Sequence, residues 1–198
     1  MTVMGDDEGV RERKRRETRQ RIVDAGLKLF GRHGYEATTL DAIAAEAGIS
    51  RRTFFHYFKS KDEILISMQA GLGEQLSAAL RAQPAHRPPL DAMRAALLAL
   101  VAPYSPESLL AIDRLMHSSE TVQARKQASY IRDEAMVFAA LREHWPDEPE
   151  PQMRLLASFA IAAVRLSLDT LSREEGRRPL GTLLEESFEA LEALARHR

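Results

Sequence analysis

The chain has 198 residues, 44% hydrophobic and 29% charged, which is enough for one small domain and one larger domain that each bury a core. It has no cysteine and no run of about 20 apolar residues, which excludes disulfides, cysteine nucleophiles and an evident membrane span. Its net charge of -1 is unevenly distributed, since residues 11–61 carry 13 basic and 6 acidic residues, whereas residues 62–198 carry 15 basic and 20 acidic residues. The basic block favours a polyanion-binding module, although a solvated charged helix face would have the same composition.

The N-terminal segment predicts a tail followed by a helix. Residues 1–10 have no periodicity and few apolar groups, so we expect a disordered tail there. From Arg11 onwards apolar residues recur at intervals of three and four, and Gly34 ends this first helix. Its beginning is a basic arm, in which Arg16 and Arg19 are expected to contact DNA, although an ordinary solvated arm is the alternative.

Two short helices are predicted next. Thr39 is placed to cap a helix over residues 40–47, and Gly48 ends it. Ser50 is placed to cap another helix over residues 51–57. Two short helices joined by a tight glycine-containing turn predict a helix-turn-helix unit.

The remaining chain is predicted to be helical throughout. Ser60 and Glu63 form a capping box that starts a long fourth helix, running to about residue 81 and interrupted by Gly71 and Gly73, which we interpret as a hinge. No strand pattern appears, so we expect an all-α fold of about nine helices. The other predicted helices cover residues 90–102, 106–117, 119–145, 151–173 and 180–196.

The second short helix has the residue types of a helix that reads the major groove. Two arginines at its start can reach guanine edges or phosphates, while Phe54 and Phe58 lie on the opposite side and are expected in the core. Helix N-termini at Thr39 and Lys61 favour a phosphate. The predicted DNA-binding residues are Arg16, Arg19, Thr39, Ser50, Arg51, Arg52, Thr53, Phe55, His56, Tyr57 and Lys61.

These residues resemble the tetracycline-repressor-like (TetR) family over residues 18–65, most clearly at Ala47-Gly48-Ile49-Ser50, Thr53-Phe54, Tyr57-Phe58 and Lys61. The resemblance implies an N-terminal three-helix DNA-binding domain, here residues 11–60, and a larger helical effector-binding and dimerisation domain, here residues 61–198. It also implies a homodimeric repressor. The family usually has Tyr at the position of Phe55, whose hydroxyl bonds a phosphate; Phe55 cannot make that contact, although its ring can still pack on a sugar or a thymine methyl.

The last two predicted helices each carry an apolar stripe with small residues, which predicts half of a four-helix dimer interface, unless both stripes pack only within one chain. The interface residues are expected to be Phe159, Ala163, Leu166, Leu184, Phe188 and Leu191. An effector pocket is expected between the middle helices, although each of its residues has plain core or surface as the alternative. The candidates are Tyr104, Arg114, Met116, His117, Tyr130 and Phe138.

The sequence therefore predicts a cytoplasmic transcriptional regulator, a ligand-responsive repressor that binds a palindromic double-stranded DNA operator as a homodimer and has no membrane partner. The alternative is a DNA-binding regulator with no small-molecule effector. No nucleophile motif, metal-ligand spacing or glycine-rich phosphate loop is present, so we expect no catalytic residue, metal or cofactor, and no enzyme activity.

Overall fold

The computed structural model describes residues 6–69 and 71–196, and these residues form ten α-helices and no strand. The predicted all-α fold is therefore confirmed. The helices are α1 (Asp6–His33), α2 (Leu40–Glu46), α3 (Arg51–Tyr57), α4 (Lys61–Gln69), α5 (Leu72–Arg81), α6 (Pro89–Val101), α7 (Pro106–Met116), α8 (Glu120–His144), α9 (Glu150–Arg173) and α10 (Leu180–Arg196).

Helix α1 begins at Asp6, within the segment that the sequence predicts as a tail. Residues 6–10 are therefore helical, whereas residues 1–5 lie outside the described part of the chain. The basic arm over residues 11–21 belongs to the same helix. It consists almost entirely of Arg, Lys, Glu and Gln, which have high helix propensity, and Arg13 and Glu17 form an (i, i+4) ion pair at 3.7 Å.

The prediction of one long fourth helix is wrong, because the structure divides this segment into two helices, α4 and α5. Gly71 precedes α5 with a φ of 136°, a conformation that residues with a side chain rarely adopt. Gly73 has another role. A Cβ at this position would lie 2.8 Å from the Cα of Asp133, so the glycine permits close approach of α5 and α8. One glycine breaks the helix, and the other allows it to pack.

The chain divides into two compact units. Unit 1 comprises Met1–Met68 and Leu115–Gln123, and unit 2 comprises Gln69–Arg114 and Ala124–Arg198. Unit 1 extends beyond residue 60 because Ile64 of α4 packs against Gly26 of α1 and is fully buried. The turn between α7 and α8 also groups with unit 1.

Unit 2 has a continuous hydrophobic core made by α5, α6, α7, α8, α9 and α10. In the described part of the chain, α9 is long and apolar enough to cross a membrane, and α6 with α7 passes the same test only as a sharply bent pair. Much of the apolar stretch of α9 is buried in unit 2, where its Phe159 ring meets Phe188 of α10 edge to face at 5.1 Å. Core helices commonly have this composition.

Candidate nucleic-acid interface

The turn between α2 and α3 is built by local hydrogen bonds. The Thr39 hydroxyl oxygen accepts the N–H of Ala42 at 3.2 Å, and that of Ser50 accepts the N–H of Thr53 at 3.0 Å. Gly48 has a φ of 66°, which lets the chain reverse so that the N–H of Ile49 reaches the carbonyl of Ala44. Both predicted caps and the predicted bounds of α3 are confirmed.

One face of α3 is held in the core of unit 1. Phe54 and Phe58 are buried and their ring centroids lie 6.1 Å apart, so their predicted core positions are confirmed. On the other face Arg51, Arg52, Ser50, Phe55 and His56 are exposed, whereas Thr53 and Tyr57 are half-buried. This exposed face of α3 is the candidate interface.

The two arginines at the start of α3 are in different surroundings. The Arg51 guanidinium donates to both carboxylate oxygens of Asp41 at 3.1 and 2.9 Å and lies over the Phe55 ring. Arg52 forms no ion pair with any described residue. Its charge is therefore available to a polyanion without competition from a neighbouring carboxylate, whereas Arg51 must exchange partners.

Lys61 has a structural role that sequence reasoning missed. Its Nζ donates to the carbonyl oxygens of Tyr35 and Glu36 at 2.7 and 3.3 Å, and it lies 4.2 Å from the centroid of the Tyr35 ring. The Tyr35 hydroxyl donates to Asp62. Burial, followed by this contact with a carboxylate, raises the pKa of Tyr35 well above its usual range. These contacts hold the start of α4 against the turn after α1, and a phosphate contact by Lys61 stays a prediction.

The capping box at the start of α4 differs in one contact from the prediction. The Ser60 hydroxyl accepts the N–H of Glu63 at 3.3 Å, as expected. The Glu63 carboxylate accepts the N–H of Lys59 at 2.6 Å rather than that of Ser60. The side chain is long enough to reach one residue further back and close the turn.

The basic arm presents its charges along α1. Arg16 and Arg19 are both exposed, and the guanidinium of Arg19 lies 4.9 Å from the centroid of the Phe58 ring. This cation–π contact directs Arg19 towards the segment that follows α3. Contact of Arg16 or Arg19 with DNA stays a prediction.

The predicted dimer residues are only partly on the surface. Ala163, Leu184 and Phe188 are buried in the core of unit 2, so their placement at an interface is corrected. Leu166 is 53% exposed, and Phe159 and Leu191 are half-buried. Leu194, which lies on the predicted stripe of the last helix, is 75% exposed, and Leu155, which was not predicted, is 71% exposed. The sequence identified the apolar stripes of α9 and α10 correctly. Only the packing of the core shows which residues of each stripe stay exposed to solvent.

A groove of about 350 Å³ is lined in part by the exposed Leu155. Apolar side chains form most of its wall, with Leu155 and Phe159 contributed by α9 and Leu191 by α10. A second groove of about 200 Å³ runs between α9 and α10 and includes Leu166 and Ser167. Both grooves leave apolar surface uncovered on the two C-terminal helices.

The predicted effector residues lie in different places. Met116 is buried and His117 exposed, and both belong to unit 1. In unit 2, Tyr104 and Arg114 are exposed. Tyr130 and Phe138 of unit 2 are half-buried, and burial raises the pKa of Tyr130 to about 12. A role in effector binding stays a prediction for all six.

Unit 2 contains buried polar side chains that sequence reasoning did not assign. Asp113 and Asp133 are each 7% exposed. Asp113 pairs with Lys126 at 3.5 Å, whereas Oδ1 of Asp133 accepts the N–H of Gly73 at 3.2 Å. Among the described residues, the hydroxyl of the buried Ser77 has no hydrogen-bond partner. A charged residue on an amphipathic helix is normally solvent-facing, so the sequence carried no signal for this polar interior.

Comparison with known proteins agrees with this architecture. Residues 22–68 match the family described as bacterial regulatory proteins, tetR family. The HTH-type transcriptional regulator TcmR of Streptomyces glaucescens is 37% identical over 109 residues, which are 55% of this chain and 48% of TcmR. The chain thus spans about half the length of that relative.

Two solved structures have the same fold over most of the chain. FadR of Thermus thermophilus, a TetR-family transcriptional repressor solved with lauroyl-CoA, is 24% identical with a TM-score of 0.56, covering 87% of this chain and 92% of FadR. SmeT, solved with triclosan, is 24% identical with a TM-score of 0.64, covering 88% of this chain and 91% of SmeT. Residues 22–68 are therefore a helix-turn-helix segment of the tetR family of bacterial regulatory proteins, and the chain as a whole shares the all-helical fold of these two structures.

Proposed function

We propose that this protein is a sequence-specific DNA-binding transcriptional regulator, acting in the cytoplasm as a repressor. The observation that carries the proposal is the geometry of α3, whose Phe54 is buried while Arg52, Phe55 and His56 project outwards. An α-helix with this division can enter the major groove while its caps are held by the protein. The match of residues 22–68 to the tetR family and the fold shared with the repressor FadR support the same function.

The proposal is tested by selecting bound duplexes from a random pool and measuring affinity by fluorescence anisotropy at several salt concentrations. We expect a palindromic site and an affinity that falls steeply with salt, because each phosphate contact releases counterions. The absence of any salt-dependent preference among duplexes would contradict DNA recognition.

Arg52 gives the sharpest variant for this assay, because no described carboxylate competes for its charge. Arg52→Ala is expected to weaken binding about tenfold or more and, if its contact is to phosphate, to lower the salt slope by about 1. Arg177→Ala is the matched control, since it removes an exposed arginine from the loop between α9 and α10 of unit 2. Equal losses in both variants would show only a general effect of charge.

We propose that the protein binds its operator as a homodimer formed by α9 and α10. The support is the exposure of Leu155, Leu166 and Leu194, together with the apolar groove of about 350 Å³ that Leu155 helps to line. Exposed apolar patches of this kind commonly mark interfaces. Analytical ultracentrifugation is expected to give a dimer that Leu166→Glu converts to a monomer. Ile131→Glu is the control, because Ile131 is equally apolar and 74% exposed on α8. A dimer that survives Leu166→Glu would exclude this face.

We propose further that a small molecule bound in unit 2 regulates DNA binding. FadR and SmeT were solved with lauroyl-CoA and triclosan, which supports ligand responsiveness as a family property without indicating the ligand here. The alternative is a regulator without an effector. A screen that finds a compound which both raises the melting temperature and changes operator affinity supports the first function. A compound that stabilises the protein without altering DNA affinity would favour the second.

A further inference from the structure

Helix α1 continues well beyond the half of it that is packed in unit 1. Its second half is held in the core by buried residues such as Ile22, Val23 and Phe30. The basic arm over residues 11–21 precedes them in the same unbroken helix, and every residue of the arm except Thr18 is exposed. Seven residues of the arm are basic and two are acidic. The arm is therefore a positively charged helix whose side chains face solvent.

One side of the basic arm continues the core face of α1. An α-helix turns by about 100° per residue, so residues that are four positions apart lie almost above one another. Arg11, Arg15 and Arg19 have this spacing and lead to the buried Val23. We call these three arginines the basic stripe. The face of α1 that packs in unit 1 is thus replaced, towards the N-terminus, by guanidinium groups.

The two carboxylates of the arm leave the basic stripe positively charged. Glu17 lies on another side of the helix and pairs with Arg13 at 3.7 Å. Glu12 borders the stripe, but it is one carboxylate against three guanidinium groups. Arg15 and Arg19 form no ion pair with a described residue. Since like charges four residues apart destabilise a helix, the stripe brings no benefit to the isolated helix, whereas a polyanion would remove the repulsion.

The basic stripe begins beside the end of α3. The guanidinium of Arg19 lies 4.9 Å from the centroid of the ring of Phe58, the residue that directly follows α3. Arg15 and Arg11 lie about 6 and 12 Å further along the axis of α1, at a rise of about 1.5 Å per residue. A helix that occupies a major groove has a phosphate backbone on either side of it. The stripe therefore extends from the last turn of α3 towards the place of such a backbone.

We propose that the basic stripe binds the phosphates of the DNA that flanks the half-site read by α3, without reading bases. A minor groove is about 6 Å wide and an α-helix with its side chains about 10–12 Å, so the helical arm is too wide to enter that groove. One strand carries a phosphate for every 3.4 Å or so of duplex axis, so a stripe about 12 Å long reaches about three phosphates. This inference rests on the proposed DNA-binding function and extends the bound duplex beyond the sequence-specific site.

The test compares two duplexes that contain the palindrome selected from the random pool. The short duplex ends at the last specific base pair, and the long duplex has about one further helical turn, or about 10 base pairs, on each side. Fluorescence anisotropy measures the affinity of the full chain for both at several salt concentrations. We expect the long duplex to bind more tightly, with a slope of log affinity against log salt that is steeper by about 2 or more. Equal affinities and equal slopes would overturn the proposal.

Variants separate the basic stripe from a general effect of duplex length. Arg11→Ala combined with Arg15→Ala removes the stripe beyond Arg19 and keeps a high helix propensity. We expect this variant to bind the short duplex as the wild type does and to lose the additional salt slope of about 2 on the long duplex. Arg13→Ala combined with Arg21→Ala is the matched control, because it removes two exposed charges from other sides of the same arm. Equal losses in the two double variants would overturn the proposal.

The sequence of the flanks distinguishes contact with the backbone from reading of a groove. Flanks rich in A·T and flanks rich in G·C differ in the width and the base edges of the minor groove, but both carry the same phosphates. We expect the gain in affinity to be the same for both flanks. A preference of about tenfold or more for one flank would contradict a contact with phosphates alone.

The outcomes also separate this inference from the proposed function on which it rests. Wild-type protein that binds the short duplex specifically but gains nothing from the flanks refutes only the role of the basic stripe. Wild-type protein without a preference for any duplex refutes the proposed regulator together with the stripe. Circular dichroism establishes that both double variants keep the helical content of the wild type, so a loss confined to the long duplex is attributable to the missing charges.

Discussion

Replacement of Gly73 by alanine tests the packing of α5 against α8. The added Cβ would lie 2.8 Å from both Cα and Oδ1 of Asp133, and the Cα cannot rotate away. Forcing the helices apart costs about 1–3 kcal/mol as overpacking and weakens a hydrogen bond to a charged acceptor worth about 1.5–3 kcal/mol. The higher helix propensity of alanine offsets up to about 1 kcal/mol. We expect a net loss of about 2–3 kcal/mol, which lowers the melting temperature by about 5–10 °C.

The assay is urea unfolding followed by the fluorescence of Trp145, the single tryptophan of the chain, which is buried in unit 2. Gly181→Ala is the matched control, because a Cβ there would meet Leu98 and Val101 at ordinary distances of 3.8 and 3.9 Å. We expect that control to be neutral or slightly stabilising. The packing argument is refuted if Gly73→Ala unfolds at the same urea concentration as the wild type.

Three further predictions concern charge and hydrogen bonding. Because burial raises the pKa of Asp133, its contribution to stability is fully present below its unfolded pKa and is lost as pH rises through the folded pKa. The free energy of unfolding of the wild type, compared with that of Asp133→Asn, should therefore fall as pH rises from about 4. Urea titrations of both proteins at several pH values measure this difference, and a difference that does not change with pH would contradict the prediction. Tyr35→Phe removes the donor to Asp62 and is expected to cost about 1–2 kcal/mol in thermal unfolding, whereas unchanged stability would mean that water replaces the hydroxyl without loss. Asp41→Asn releases Arg51 and removes a negative charge beside α3. Fluorescence anisotropy should therefore show DNA binding that is roughly two- to tenfold tighter and more dependent on salt. Weaker binding would show instead that the ion pair positions Arg51 for DNA.

The helix-turn-helix segment could be predicted from sequence because its conformation depends on near neighbours. Thr39 and Ser50 each cap a seven-residue helix through a hydrogen bond from the amide three residues further on, and Gly48 supplies a φ that other residues avoid. The burial of Phe54 follows from its spacing with Phe58 on one helix. The bounds of α3 and its division into a core face and an exposed face were therefore contained in a short stretch of sequence.

The tertiary structure alone decided which groups meet across long sequence separations. Helix propensity assigns the same cost to Gly71 and to Gly73 inside a predicted helix, and only the approach of Asp133 distinguishes the packing role of Gly73 from the helix break at Gly71. Likewise, an apolar stripe on α9 or α10 shows that a face is buried but not what covers it, so Phe188 became core while Leu166 stayed exposed. The period of the apolar residues specifies which face of a helix is buried, whereas the helix that covers this face depends on how all the helices pack together.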